Sequence, residues 1–158
     1  MLKSTIRSVQ QLLDHERLLA LAVSVDGTPY AGLLPYAVLA GHQAVLIHAS
    51  RMSRHAQGLV DGGRVGILVH EQDGPDKDPL QIRRATFECL VRPYERKSEA
   101  WLEARARYLE RFPDSRITFN LGDFTLYRLE FRQGLYVEGF GRAMEIEAAD
   151  VPRLGEQA

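Results

Sequence analysis

The segment from Ala49 to Val69, ASRMSRHAQGLVDGGRVGILV, constrains this chain most. One apolar run ends at Ala49, a polar cluster follows, and a second apolar run begins at Val65. The pattern predicts the end of one strand, a helix over about Ser53 to Asp61, a stop at Gly62-Gly63, and a second strand over Val65 to His70. Ser50, Arg51, Ser53, Arg54 and His55 stand at the head of that helix.

Composition narrows the classes. The 158 residues fit one domain spanning 1–158. Hydrophobic residues make up 45% and charged residues 26%, the ordinary balance of a globular protein that folds without disulfides or structural metal. The net charge of −1 gives no basic field for nucleic acid. A single cysteine, Cys89, cannot form an internal disulfide, which points to a reducing compartment. The first residues, MLKSTIRSVQQLLDHE, lack the apolar core and cleavage site of a signal peptide. The longest mostly apolar run, Leu18 to Val25, is too short to span a bilayer as a helix. The expectation is a cytoplasmic protein.

The rest of the chain reads mostly as strands. Ser4 to Arg17 is an amphipathic helix with Ser4 as N-cap and Ile6, Val9 and Leu13 on one face. Leu19–Val25, Tyr30–Leu39 (interrupted at Pro35) and Gln43–Ala49 read as an antiparallel meander. A polar loop over Glu71 to Asp78 separates the strand Val65–His70 from the strand Ala85–Tyr94. Ser98 to Phe112 is the clearest helix, with Trp101, Tyr108 and Phe112 facing a core and Pro113 ending it. Asp123–Phe131 and Gly134–Phe140 are two further strands, and Val151 to Ala158 reads as a flexible polar tail. The fold class is mainly β: a six- to seven-stranded antiparallel split barrel with flanking helices.

Chemistry concentrates at the polar cluster. A helix N-terminus carries unpaired N–H groups and partial positive charge, so hydroxyls and guanidinium groups there predict a phosphate socket. The chain has no His-Glu-x-x-His, no paired zinc cysteines, no Gly-x-Ser-x-Gly and no P-loop. Cys89 has no neighbouring base and reads as inert core.

The segment resembles the FMN-binding split barrels related to pyridoxamine 5′-phosphate oxidase. Ser53-Arg54-His55 falls on that family's Ser-Arg-Lys motif and Gly62-Gly63-Arg64-Val65 on its Asn-Pro-Arg-Val turn. The chain is similar above all to the haem-utilisation (HugZ/HutZ-type) branch, through LLPYAV from Leu33, SRHAQGL from Ser53, RRATFECLV from Arg83, ARARYLERFPD from Ala104, GDFTLYRL from Gly122 and GLYVEGFGRA from Gly134.

The resemblance implies a homodimer with ligand sites built from both subunits, and a small-molecule substrate. It implies an FMN phosphate on Arg54, Ser53 and His55, with Ser50 and Arg51 beside it. The isoalloxazine would lie along the second strand near Leu33, Leu34 and Tyr36. Arg83 and Arg84 read either as a charged strand start or as a pair facing the groove to hold a carboxylate or phosphate. The function so implied is that of an FMN-binding flavoprotein, a flavin-dependent oxidoreductase. The alternative is a haem-binding or haem-degrading protein of the same fold without flavin.

Three positions depart from the pattern. Gly32 and Ala37 stand where the oxidase branch has Arg and Lys, and His55 stands for Lys. Haem-degrading members supply an axial histidine from the C-terminal tail, held by an Asp that is Asp123 here. None of the five histidines of this chain, His15, His42, His48, His55 and His70, lies in the tail.

Overall fold

Alternation of inward apolar and outward residues builds most of the sheet. In the computed structural model, which describes residues 1–157, β1 (Leu18–Val25) turns Leu19, Leu21, Val23 and Val25 inward. β5 (Arg64–His70) and β6 (Arg84–Pro93) show the same alternation. β4 (Ala44–Ser50) is buried on both faces because helices cover its outer side. β2 (Thr28–Pro35), β3 (Ala37–Val38), β7 (Phe124–Gly139) and β8 (Arg142–Ile146) complete the set.

All pairings are antiparallel, in the order β2-β1-β5-β6-β7-β4-β3, with β8 on β7. The two ends of this order, β2 and β3, are consecutive in the chain and separated only by Tyr36. The sheet therefore curls until its two edges meet on one segment, which makes it a split barrel. The break falls after Pro35, which has no N–H to give to a ladder.

The barrel is filled by inward residues of the strands and closed by α1 (Lys3–His15), whose Val9, Leu12 and Leu13 join the same core. A second core lies outside β4, where Trp101, Ala104, Tyr108 and Leu109 of α2 (Glu99–Arg111) meet Leu46, Leu126 and Phe119 of α3 (Arg116–Phe119). Ser98 caps α2, accepting from the Trp101 N–H at 3.2 Å. Among the described residues no helix is long and apolar enough to cross a membrane.

Several sequence expectations need correction. Ser53–Asp61 does not form an α-helix; only Arg54–Gly58 winds, as a 3₁₀ turn, with Leu59 anchored in the core behind it. Leu2, not Ser4, is the N-cap of α1, and no side chain caps it. The meander runs through a broken second strand: β2 pairs with β1 and β3 with β4, whose other side pairs with β7. The two strands around Gln133 are one 16-residue strand, whose pairing with β6 skips Arg132 at the register shift between Glu88 and Cys89. Gly134 follows that shift, and a β-carbon there would come within 2.3 Å of the Thr86 carbonyl oxygen. β8 follows through a turn at Phe140-Gly141, with Gly141 at φ 74°.

The C-terminal segment is not a loose tail. Ala148–Gly155 forms 3₁₀ turns that bury Val151 and Leu154 in the main core. Gln10 of α1 donates to the Leu154 carbonyl at 2.7 Å and the Glu156 carbonyl at 2.9 Å. Two apolar side chains and backbone acceptors for α1 outweigh the polar composition; Ala158 lies outside the described residues.

Candidate functional site

The polar cluster forms where β4 runs out into the 3₁₀ turn. Ser50 Oγ donates to Asp123 Oδ2 at 2.8 Å and accepts from the Met52 N–H at 3.2 Å. Ser53 Oγ donates to the Ser50 carbonyl at 2.6 Å. A serine hydroxyl has one proton, so the neighbouring His55 Nε2, 3.2 Å away, is the donor to Ser53. The His55 ring lies over Gly32 of β2. Burial pushes this imidazole below the usual histidine range, so it is neutral near pH 7.

The two arginines differ. Arg51 is exposed and donates to the Gly122 carbonyl at 3.0 Å, while its backbone N–H donates to Asp123 O at 2.7 Å. Arg54 is exposed, with its guanidinium 5.8 Å from the centre of the Tyr30 ring. The structure thus brings Ser50, Arg51, Ser53, Arg54 and His55 into one cluster. Both hydroxyls are already committed to protein acceptors, one of them a carboxylate. A 3₁₀ turn this short also lacks the aligned dipoles of an α-helix. Asp123, read from sequence as a strand-starting turn residue, is the anchor of the cluster.

Tyr36 and Leu34 fall elsewhere. Tyr36 is fully buried and its hydroxyl donates to the Leu13 carbonyl at 2.7 Å, one of the acceptors left open at the end of α1. Burial pushes its phenol pKa up. It is a core residue and cannot stack on a ligand. Leu34 also points into the core, and its neighbour Leu33 faces outward, 68% exposed.

The outer face of β1, β2 and β5 is apolar and open. Parity along the strands turns Leu18, Ala20 and Ala22, then Ala31 and Leu33, then Gly66 and Leu68 outward. A hollow of about 630 Å³ lies at the Pro29, Tyr30 and Arg64 end of this face. At the other end a deeper cavity of about 680 Å³ is bounded by the strands and by Phe112 and His15 near the ends of α2 and α1. Arg84 belongs to that second end, because it pairs with His70 across β5 and β6. Its guanidinium donates to the Ile82 carbonyl at 2.9 Å. Arg84 and Arg54 therefore do not share one site within the chain.

Other titratable groups are structural. His48 is stacked on Phe119 at 3.7 Å between ring centres, and its Nδ1 lies 3.3 Å from Thr118 Oγ1. Burial, aided by the Arg96 charge, pulls its pKa down to about 4. Cys89 is fully buried, and burial pushes its thiol up, so the inert reading holds. Among the described residues no group of three or more His, Cys, Asp or Glu side chains is placed to hold a metal ion. The roles of Asp123 and of the second cavity were not legible in sequence. Parity along β5 puts Leu68 and His70 on one face, but nothing in the chain says what stands opposite.

The pyridoxamine 5′-phosphate oxidase family model matches residues 6–138. Over 145 residues the chain is 30% identical to the heme oxygenase HutZ of Vibrio cholerae, covering 90% of this chain and 81% of that one. The crystal structure of HutZ, described as the heme storage protein of Vibrio cholerae, is similar with a TM-score of 0.75 and 29% identity, over 85% of this chain and 95% of that one. A heme binding protein from Mycobacterium smegmatis shares the fold with a TM-score of 0.84 at 21% identity. That match covers 97% of this chain, which spans 62% of the mycobacterial chain.

Proposed function

The chain belongs to the pyridoxamine 5′-phosphate oxidase family, and from that premise we propose that it binds haem in a groove between two copies of itself. The observation that carries this reading is the 30% identity to a heme oxygenase, which runs through 90% of the chain. The local chemistry supports it. A porphyrin presents a broad apolar face and two carboxylates. The outer face of β1, β2 and β5 offers exposed leucines among small residues, with Arg17 and Arg84 at one end. A second copy packed on this face would cover the apolar surface that a single chain leaves in water. The function proposed is binding rather than turnover, in the reducing cytoplasm that the unpaired Cys89 fits.

FMN binding is the second reading, and Arg54 favours it. Its exposed guanidinium beside Tyr30 is a free partner for a phosphate next to a ring that a flavin could reach. The committed hydroxyls of Ser50 and Ser53 and the Asp123 carboxylate weigh against a strong socket there. A bound flavin would supply the redox chemistry, with the protein orienting it.

Haemin and FMN titrations followed by visible absorption, with sedimentation velocity alongside, test both readings. A sharp haem band on a dimeric protein that ignores FMN is the expected result. A protein that binds FMN and leaves haemin unbound overturns the haem reading. A monomer at micromolar concentration overturns the shared groove.

A further inference from the structure

Haem iron is held through a side chain, and a histidine serves when one ring nitrogen is fixed by an acceptor and the other keeps its lone pair. His42 and His55 each have Nε2 held, by Asp14 at 2.8 Å and by Ser53 at 3.2 Å, but neither lines the cavity of about 680 Å³, and the His55 ring lies over Gly32. His48 is stacked inside the second core. His70 differs from all three in lining that cavity. It is exposed at the end of β5, and its Nδ1 lies 2.6 Å from the Glu71 carbonyl oxygen. A carbonyl only accepts, so the proton sits on Nδ1 and Nε2 carries the lone pair.

The acceptor is itself fixed. The Glu71 carboxylate accepts from the Arg83 backbone N–H and from Arg83 Nε, each at 2.9 Å, and the Glu71 N–H donates to the Arg83 carbonyl at 2.9 Å. The His70 ring is thus oriented from behind through Nδ1, on a strand rather than on a free loop. It lines the cavity of about 680 Å³, together with Leu33, Leu68 and Phe112. Arg17 lines the same cavity with its guanidinium 5.1 Å from the Phe112 ring centre, and Arg84 stands across the ladder from His70. That volume falls within the range of small-molecule sites. His15 and Glu16 also line it, with His15 Nδ1 3.2 Å from a Glu16 carboxylate oxygen, but the His15 side chain is 83% exposed at the end of α1, whereas His70 is carried on a paired strand.

We propose that this cavity seats the porphyrin and that His70 Nε2 is the iron ligand, with Arg17 and Arg84 meeting the propionates. The proposal rests on the haem reading and adds its ligand. It places a strand histidine on the iron, at the opposite end of the outer face from Arg54.

Haemin titration of the full chain and of the His70→Ala and His42→Ala variants tests it, read by Soret absorption and resonance Raman of the ferric complex. His70 is exposed, and circular dichroism verifies that each variant folds. The expected result is a band that weakens and broadens in His70→Ala, with affinity about tenfold or more lower, restored by added imidazole and unchanged in His42→Ala, which lies outside the cavity. An unaltered His70→Ala spectrum overturns the ligand assignment and leaves the haem reading standing. A loss in His70→Ala that imidazole does not restore also overturns the assignment. A folded wild-type chain that takes up no haemin overturns both.

Discussion

The Nδ1 of His55 lies 3.2 Å from the point where a β-carbon on Gly32 would sit. The imidazole fills the space above β2 that a side chain at position 32 would need. A bare glycine on β2 and a histidine in the following turn are therefore one feature, although 23 residues separate them.

Gly32→Val should overpack this contact and cost about 1–3 kcal/mol. His55→Ala in the same chain should recover most of that loss, because it removes the ring the valine meets. Denaturant unfolding of both single variants and the double variant measures the coupling. Additive effects would mean that the ring swings aside freely.

Arg54→Ala separates the two cofactor readings. If FMN binds by its phosphate at Arg54, the change should weaken FMN by about 1–3 kcal/mol, the value of a lost charge-assisted hydrogen bond. Haemin affinity should not move, because the proposed seat lies at the other end of the face. Equal loss of both ligands in titration would contradict two separate seats.

His48 should make the protein acid-sensitive. Its pKa falls from 6.5 to about 4 on folding, chiefly through burial, so protonation favours the unfolded chain. The sign follows: the stability is intact above pH 6.5 and is lost as pH falls toward 4, by about 3 kcal/mol in all. His48→Gln should flatten this part of the profile. Unfolding midpoints between pH 7 and pH 4 that run parallel in the two proteins would rule His48 out as the cause.

Leu154→Ala should cost about 2–4 kcal/mol, since the side chain is fully buried in the main core. A shift in thermal midpoint of several degrees is the expected reading. No shift would mean that the C-terminal turn adds nothing to the fold.

Much of the fold was legible because strands and helices announce themselves locally. The strand over Leu19–Val25, the helix from Ser98 with its apolar stripe, and the proline break at Pro35 all fell close to where the chain suggested. Failures came where a local signal met a distant constraint. The glycine-stopped helix after Ser53 collapsed to five residues, with Leu59 anchored in the core behind it. The resemblance set Tyr36 beside a flavin ring, yet the Tyr36 hydroxyl donates to the open carbonyl of Leu13 and the ring lies in the core. The polar cluster read as a place for a phosphate has one of its hydroxyls taken by Asp123, 73 residues beyond Ser50.

Sequence by itself determined that the fold is mainly β with a polar turn between two strands, because periodicity and turn chemistry act over a few residues. Its motifs also determined the family. Tertiary structure alone decided which polar groups remain free for a ligand. Closing the barrel at Tyr36 pairs β4 with β7 and sets Ser50 against Asp123. Strand register turns His70 outward beside Leu68 and opposite Arg84. These are contacts between distant segments, and a hydroxyl or an imidazole becomes a structural group or an open one only when its partner arrives.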